Sequence, residues 1–257
     1  MKTLSKNMRK NSDSYSIHSM ELGPMENFVY LIHDHASNTA AIVDPAWKIE
    51  KMLDLAKEKD IQITDILLTH SHNDHVNGLQ QTLKHYDAKI HLLKSEEKFS
   101  KNNPEHNLLA RANIENPTLH HGGDQFKIGE STIDILHTPG HTPGSACYHI
   151  GNDLIAGDTL FVFGCGRCNM RGGDPEIMFQ TLKKMKTELT ASTIIHPGHN
   201  YAPQSPTSTM ENQCSGNPFL HFDKTEDFVK YRVHVHDKIR DMPYDAVSKE
   251  DACKALK

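Results

Sequence analysis

Thr69-His70-Ser71-His72-Asn73-Asp74-His75 follows directly on the apolar run Ile63 to Leu68 and is the most informative stretch of the 257-residue chain. Three imidazoles and one carboxylate lie within it, on residues 70, 72, 74 and 75. In an extended segment, side chains at i and i+2 share a face, so His70 and His72 can reach one ion together. Asp74 and His75 come after the chain turns into a helix and can face a second ion nearby. Neutral imidazole and carboxylate are ligand types that Zn, Mn and Fe accept. A solvated polar loop is the plainer reading, but such a loop does not call for ligand-type side chains at this density.

The surroundings alternate between strand and helix patterns. Upstream, Phe28 to Ile32 and Ala40 to Val43 are β-branched and aromatic runs that read as strands, the second ended by Asp44-Pro45. Ile49, Met52, Leu53 and Ala56 recur at helical spacing, which predicts a helix over Trp47 to Glu58. Downstream, the pattern predicts a helix over Val76 to His85 and a strand over Ala88 to Leu93. Glu96 to Gly123 is polar and yields no assignment. Short strands are expected at Gln125 to Ile128, Ser131 to His137, Ala146 to Ile150, Asp153 to Ile155 and Thr193 to Ile195. Asp174-Pro175 opens a helix with Pro at its first position, striped by Met178, Leu182, Met185 and Leu189. Beyond Ala202 the pattern is helical and broken by Pro. Adjacent β runs favour a layered α/β domain over a pure βαβ wind.

Three more candidate ligands stand just past predicted strands, where α/β sheets place their sites. His141 lies in His137-Thr-Pro-Gly-His141-Thr-Pro-Gly144, Asp158 in Gly157-Asp-Thr-Leu160, and His199 in His196-Pro-Gly-His199-Asn-Tyr201. His137 and His196 sit nearer their strands and read either as partners standing behind the ligands or as structural. The chain carries 19 His, far more than packing requires. Its formal net charge of −5 argues against non-specific nucleic-acid binding. No run approaches the roughly 20 apolar residues of a membrane span. Five cysteines without a repeating frame are no disulfide scaffold, and Cys165-Gly-Arg-Cys168 reads as a structural loop. Residues 1–13 are polar and basic with no apolar h-region, so a disordered extension on a cytoplasmic protein is expected.

The order T-H-x-H-x-D-H, T-P-G-H-T, G-D-T-L-F, G-H-x-Y resembles the metallo-β-lactamase superfamily over roughly Leu22 to Tyr201. Gly157-Asp-Thr-Leu-Phe161 followed by Gly164-Cys-Gly166 looks most like glyoxalase II, the hydroxyacylglutathione hydrolases. The resemblance implies an α/β, four-layer αββα sandwich spanning 14–201, with a short helical C-terminal segment over 202–257 and a dinuclear site at one sheet edge. It implies that His70, His72 and His141 bind one metal, that Asp74, His75 and His199 bind the other, and that Asp158 bridges them. The cofactors would be two divalent ions, Zn first, with Fe or Mn possible. Asp44 matches an early Asp that stands behind the ligands. Arg167 and Tyr201 would contact a glutathione moiety, so the expected partner is a small-molecule thioester.

The chemistry suits those ligands. Two cations sharing a water lower its pKa from 15.7 towards about 7. The resulting hydroxide attacks a thioester carbonyl, Asp74 can orient it, and the thiolate leaves without a strong acid. The same skeleton resembles persulfide dioxygenases, in which His72, His141 and Asp158 would hold one iron, and lactonases, which share all seven ligands. Two departures from glyoxalase II concern substrate. Cys168, Asn169 and Met170 stand where an aromatic is common after G-C-G-[KR]. The basic C-terminal pair has no clear counterpart: Lys230, Arg232, Lys238 and Arg240 are available there to hold carboxylates, though their helical spacing makes a solvated face the plainer reading.

Overall fold

Alternation along one strand sets the layers. In β2 (Asn27–Asp34), Phe28, Tyr30 and Ile32 face one apolar core, while Val29 and Leu31 face another. In β3 (Thr39–Val43), Ala41 and Val43 join the first core, and Ala40 and Ile42 the second. A strand hydrophobic on both faces must be covered on both. The computed structural model describes residues 14–103, 107, 114, 116–238 and 243–257. The stretch 1–13 expected to be disordered, and Arg240, lie outside them.

Among the described residues the strands form two six-stranded sheets and one short ribbon. The first sheet runs in sequence order: β1 (Tyr15–Leu22), β2, β3, β4 (Gln62–Leu67), β5 (Lys89–Leu93) and β6 (Thr118–His120). Its β1–β2–β3 part is antiparallel and its β3–β4–β5–β6 part parallel. Helices α1 (Glu50–Glu58) and α3 (Leu79–His85) follow β3 and β4, and the first sheet and α1 share a core through Met52, Leu53 and Ala56. Burying such a Met or Leu side chain contributes about 1.5–3 kcal/mol. The second sheet has the order β14 (Ser208–Thr209), β13 (Ile194–Pro197), β10 (Asp153–Gly157), β9 (Ala146–Ile150), β8 (Ser131–His137) and β7 (Gln125–Ile128). Leu160–Phe161 and Gly164–Cys165 are β11 and β12, the ribbon.

On the outer face of the second sheet lies α5 (Pro175–Glu188). Asp174 caps it by accepting from the amides of Glu176 and Ile177. Met178, Leu182 and Met185 of α5 share a core with Phe219, Phe228 and Tyr231 of the C-terminal segment. That segment contains α6 (Met210–Gly216), α7 (Thr225–Lys230), a π-helical turn at Tyr231–Val235, and α8 (Lys249–Lys254). Three cores between four layers make the αββα sandwich.

The sheets are also joined by hydrogen bonds. Tyr148 Oη donates to the Leu68 carbonyl at 2.8 Å, Ala146 N to the Thr69 carbonyl at 2.8 Å, and Tyr30 Oη to the Pro197 carbonyl. These bonds gather the strand ends that precede the ligand-rich loops. Apart from the short strands β6, β11, β12 and β14, which no pattern announces, three elements differ from the sequence expectation. β1 went unassigned because Ser16, His18 and Ser19 dilute its apolar signal. The helix expected over Val76 to His85 is two pieces, α2 (Asn73–Val76) and α3, broken around Gly78. Within the unassigned polar stretch lies α4 (Lys94–Lys101), whose buried residues are Glu96 and Ser100.

Asp34 supplies a further link between the sheets. It accepts from the amide and hydroxyl of Ser131 and from those of Ser37. Burial pushes its pKa up, but these four donors outweigh that and hold it at about 2, below the ordinary 3.8. A depressed folded-state pKa gives stability that is present above the ordinary value and lost as pH falls towards the folded one. Asp34→Asn should therefore cost about 1–3 kcal/mol at pH 7. Urea unfolding of metal-free protein should show that difference shrinking between about pH 4 and pH 2. A difference that is independent of pH would exclude an ionised Asp34 as the link.

Candidate metal centre

The sequence places its ligands at the C-terminal ends of strands, and the two-sheet packing brings those ends together. After β4 the chain stays extended through His72, so His70 and His72 point one way and Ser71 the other. His70 Nε2 lies 3.0 Å from His72 Nδ1, which lies 2.9 Å from Nε2 of His141, in the β8–β9 loop. Asp74 and His75 are in α2, and His75 Nε2 lies 3.2 Å from Nε2 of His199, just past β13. Asp74 Oδ2 is 3.3 Å from His75 Nε2 and 3.4 Å from His199 Nε2. Among the described residues two triads face the cavity, His70–His72–His141 and Asp74–His75–His199, and a third group, Asp44–His70–His75, lies behind them with Asp44 on His75 Nδ1. Asp158, just past β10, joins the two triads: Oδ1 is 3.4 Å from His75 Nε2, and Oδ2 is 3.5 Å from His141 Nε2 and 3.4 Å from His199 Nε2.

Backbone shape makes these approaches possible. Gly157 has φ +49°, and a Cβ there would stand 2.6 Å from Thr69 Oγ1, so only glycine lets β10 deliver Asp158 beside the histidine loop. Gly198 lies so close that a Cβ would stand 2.2 Å from Asp158 Oδ1. Asp44 is itself at φ +48°. A non-glycine residue in that region is strained, and such strain gathers at functional sites.

Hydrogen bonds behind the ligands fix their tautomers. His141 Nδ1 donates to the Arg167 carbonyl at 2.7 Å, His199 Nδ1 to the Met25 carbonyl at 2.7 Å, and His75 Nδ1 to Asp44 Oδ2 at 3.0 Å. Each ring therefore presents its Nε2 lone pair to the site. Asp44 also accepts from the amide and hydroxyl of Thr69, so one carboxylate sets both the loop and His75.

The donor set fits divalent ions. Nitrogens at 2.0–2.1 Å from a tetrahedral Zn stand about 3.3 Å apart, close to the spacing seen here. Asp158 Oδ1 is buried and accepts no hydrogen bond among the described residues. The electrostatics also call for positive charge. Burial alone would raise Asp158 and Asp74, yet neighbouring His199 and His75 hold both carboxyls well below the usual range. Burial would lower His75 and His199, yet Asp158 and Asp74 outweigh it and raise both. Burial and the nearby His141 push His72 down to about 3, which keeps it the neutral ligand.

A cavity of about 440 Å³ opens over this cluster. Phe161, Arg167, Tyr201, Arg232 and Tyr244 line its walls, and the exposed Met25 and Met170 also border it. Tyr201 stacks on His199 with ring centroids 4.9 Å apart and planes at 5°. All ten residues singled out in the sequence, Asp44 included, thus lie in or directly behind one site. His196 instead pairs with Asp153 at 2.7 Å, and His137 with the Pro143 carbonyl, which fits their structural reading.

Sequence reasoning missed two residues and left a third between two readings. Asn27 donates to Asp74 Oδ2 at 3.0 Å and accepts from Trp47 Nε1. Glu96, buried under both loops, accepts from Ser71 N and Oγ on one side and from Thr142 Oγ1 and Gly144 N on the other. Arg232, more plainly read on a solvated face, is instead 2% exposed at the cavity wall. The π-helical turn interrupts the helical spacing on which that plainer reading rested. No motif marks any of the three.

Comparison with known proteins agrees with this geometry. A family model described as the Metallo-beta-lactamase superfamily matches residues 22–199. The chain belongs to this superfamily. It is 33% identical over 227 residues to a "Probable polyketide biosynthesis zinc-dependent hydrolase BaeB" of Bacillus velezensis, covering 88% of this chain and 96% of that one. It is 34% identical over 178 residues to a "Hydroxyacylglutathione hydrolase" of Rhizobium meliloti, covering 68% of this chain and 63% of that one. The crystal structure of ETHE1 from Myxococcus xanthus shares the fold, with TM-score 0.73, 23% identity, and coverage of 92% and 98%. Among the described residues, no helix is long and apolar enough to cross a membrane.

Asp158 touches both triads, whereas Asp44 touches the ligands only from behind. Asp158→Ala should therefore remove bound metal and activity together. Asp44→Ala should keep more metal, with affinity lowered about 10–100-fold, as for other outer partners of ligands. Metal content after dialysis against a chelator series checks the order. Full metal retention in Asp158→Ala would contradict the bridging position.

Proposed function

We propose that this protein is a dinuclear metal-dependent thioester hydrolase of broad thiol tolerance. The observation that carries the reading is the meeting of two complete triads at Asp158 on the floor of an open cavity. His70, His72 and His141 would hold one ion, Asp74, His75 and His199 the other, and Asp158 both. Such ions, when bound, supply a nucleophile at neutral pH and polarise a carbonyl. The chain's own groups do the rest. Asn27 holds Asp74 at the cavity edge, where its carboxylate can orient a water. Phe161, Tyr201 and Tyr244 keep the thioester in an apolar wall. A thiolate leaving group needs no proton donor from the wall.

Among the described residues the cavity offers little to hold a glutathione tripeptide. Arg167 is exposed at its rim, but Arg232 already donates through Nε to the Gly166 carbonyl. Lys230 and Lys238 are exposed and do not line the cavity. Each missing charged contact costs about 1.5–3 kcal/mol, or roughly 10–100-fold in kcat/KM. The similarity to a hydrolase named for polyketide biosynthesis, a chemistry that proceeds through acyl thioesters, supports a thioester on a carrier other than glutathione.

Two measurements test the proposal. Zinc-replete protein should approach two equivalents of metal. It should hydrolyse the lactoyl thioester of N-acetylcysteamine with a kcat/KM within roughly 10⁴-fold of that for S-lactoylglutathione. A larger ratio would match full polar recognition of glutathione. A single equivalent of iron with oxygen uptake on glutathione persulfide would replace the hydrolase reading altogether.

A further inference from the structure

The C-terminal segment touches the metal centre from two sides. On one side, Tyr244 packs against Tyr201 with ring centroids 5.3 Å apart, and Tyr201 stacks on His199. Tyr244 N also donates to the Tyr201 carbonyl at 2.7 Å. On the other side, Arg232 Nε donates to the Gly166 carbonyl at 3.1 Å, and the next carbonyl, that of Arg167, accepts from His141 Nδ1 at 2.7 Å. His236 closes the circuit, with its ring 5.0 Å from Tyr244 and its Nδ1 3.4 Å from Arg232 Nη1. The path thus runs from His199, a ligand of one triad, through the C-terminal segment to His141, a ligand of the other.

Arg232 is the buried charge on this path. Its guanidinium is buried, lies over the Phe219 ring at 5.8 Å, and sits on a π-helical turn. Single π turns inside helices frequently occur at functional sites. Burying a charge on an apolar ring is costly unless it is hydrogen-bonded, and here one hydrogen bond goes to the segment that aims His141.

We propose that Arg232 is a positioning residue for the metal centre. Its Nε–H fixes the Gly166–Arg167 peptides, so that the Arg167 carbonyl holds His141 Nδ1 and turns Nε2 towards His70 and His72. The C-terminal segment is then part of the metal site without contributing a ligand. The inference rests on the metal-binding reading of the two triads.

Two substitutions separate a hydrogen bond from packing or charge. Arg232→Gln keeps an N–H donor at the position of Nε and removes the charge. Arg232→Met puts a methyl group there. Zinc affinity, read by competition with a chromophoric chelator, should fall about tenfold in Arg232→Met, as for outer partners of metal ligands. It should stay within about threefold of the parent in Arg232→Gln. The Co(II) absorption spectrum should change in the Met variant alone. Phe228→Leu, which loosens the same core away from Gly166, should lower the melting temperature of metal-free protein but leave zinc affinity unchanged. Equal zinc affinity in the parent and the Met variant overturns the inference, as does equal loss in the Gln and Met variants or in Phe228→Leu. If the Met variant does not fold, a loss above tenfold in the Gln variant overturns it and a loss within threefold supports it. A parent protein that takes up no zinc defeats the metal-binding reading instead.

Discussion

A single buried carboxylate, that of Glu96, sets the spacing on which the centre depends. Its two oxygens collect four donors from loops that are distant in sequence, Ser71 on one side and Thr142 with Gly144 on the other. Burial raises its pKa, but every partner supplies a hydrogen, so the carboxylate is the form that fits. Ser71 and Thr142 each adjoin a ligand, so anchoring both loops to one group fixes how far apart His70, His72 and His141 stand. Replacing that group by an apolar one would strand Ser71 N, Ser71 Oγ and Gly144 N in a dry site, at about 1–3 kcal/mol each, while the Thr142 hydroxyl keeps Ser145 Oγ as a partner.

Asp44 plays the corresponding part for the other half. It ends β3 in a left-handed conformation and turns its carboxylate back onto Thr69 and His75. Both acids hold the loops that leave the strand ends, Asp44 at Thr69 and His75 and Glu96 at Ser71, Thr142 and Gly144. The sheets supply rigidity, and the buried acids convert it into ligand geometry.

The ligands were legible in the sequence because they are dense, chemically distinctive and tied to strand ends. A layered α/β domain was legible from the adjacent β runs, and its αββα order from the resemblance of the ligand motifs rather than from the strand pattern. Asn27, Glu96 and Arg232 were not, because each acts through a partner 25 or more residues away, on a different element. Glu96 sits in a helix with almost no apolar stripe, since its buried face is made of hydrogen bonds. Arg232 has the spacing of a surface residue until the π turn rotates it inwards. β1 escaped for a related reason: Ser16 and His18 occupy a face on which hydrophobic residues would have announced the strand.

The two methionines at the cavity rim carry a consequence of their own. Met25 is 45% exposed and Met170 38% exposed, and both border the opening above the cluster. An unbranched thioether reshapes itself at little cost and packs against irregular surfaces, so this rim can mould itself around guests of different girth without moving the backbone. The same sulfurs are open to peroxide. Conversion to the sulfoxide would make a greasy threshold polar, so the fit of an apolar guest would depend on how oxidising its surroundings are while the histidine and aspartate cluster beneath stays unchanged.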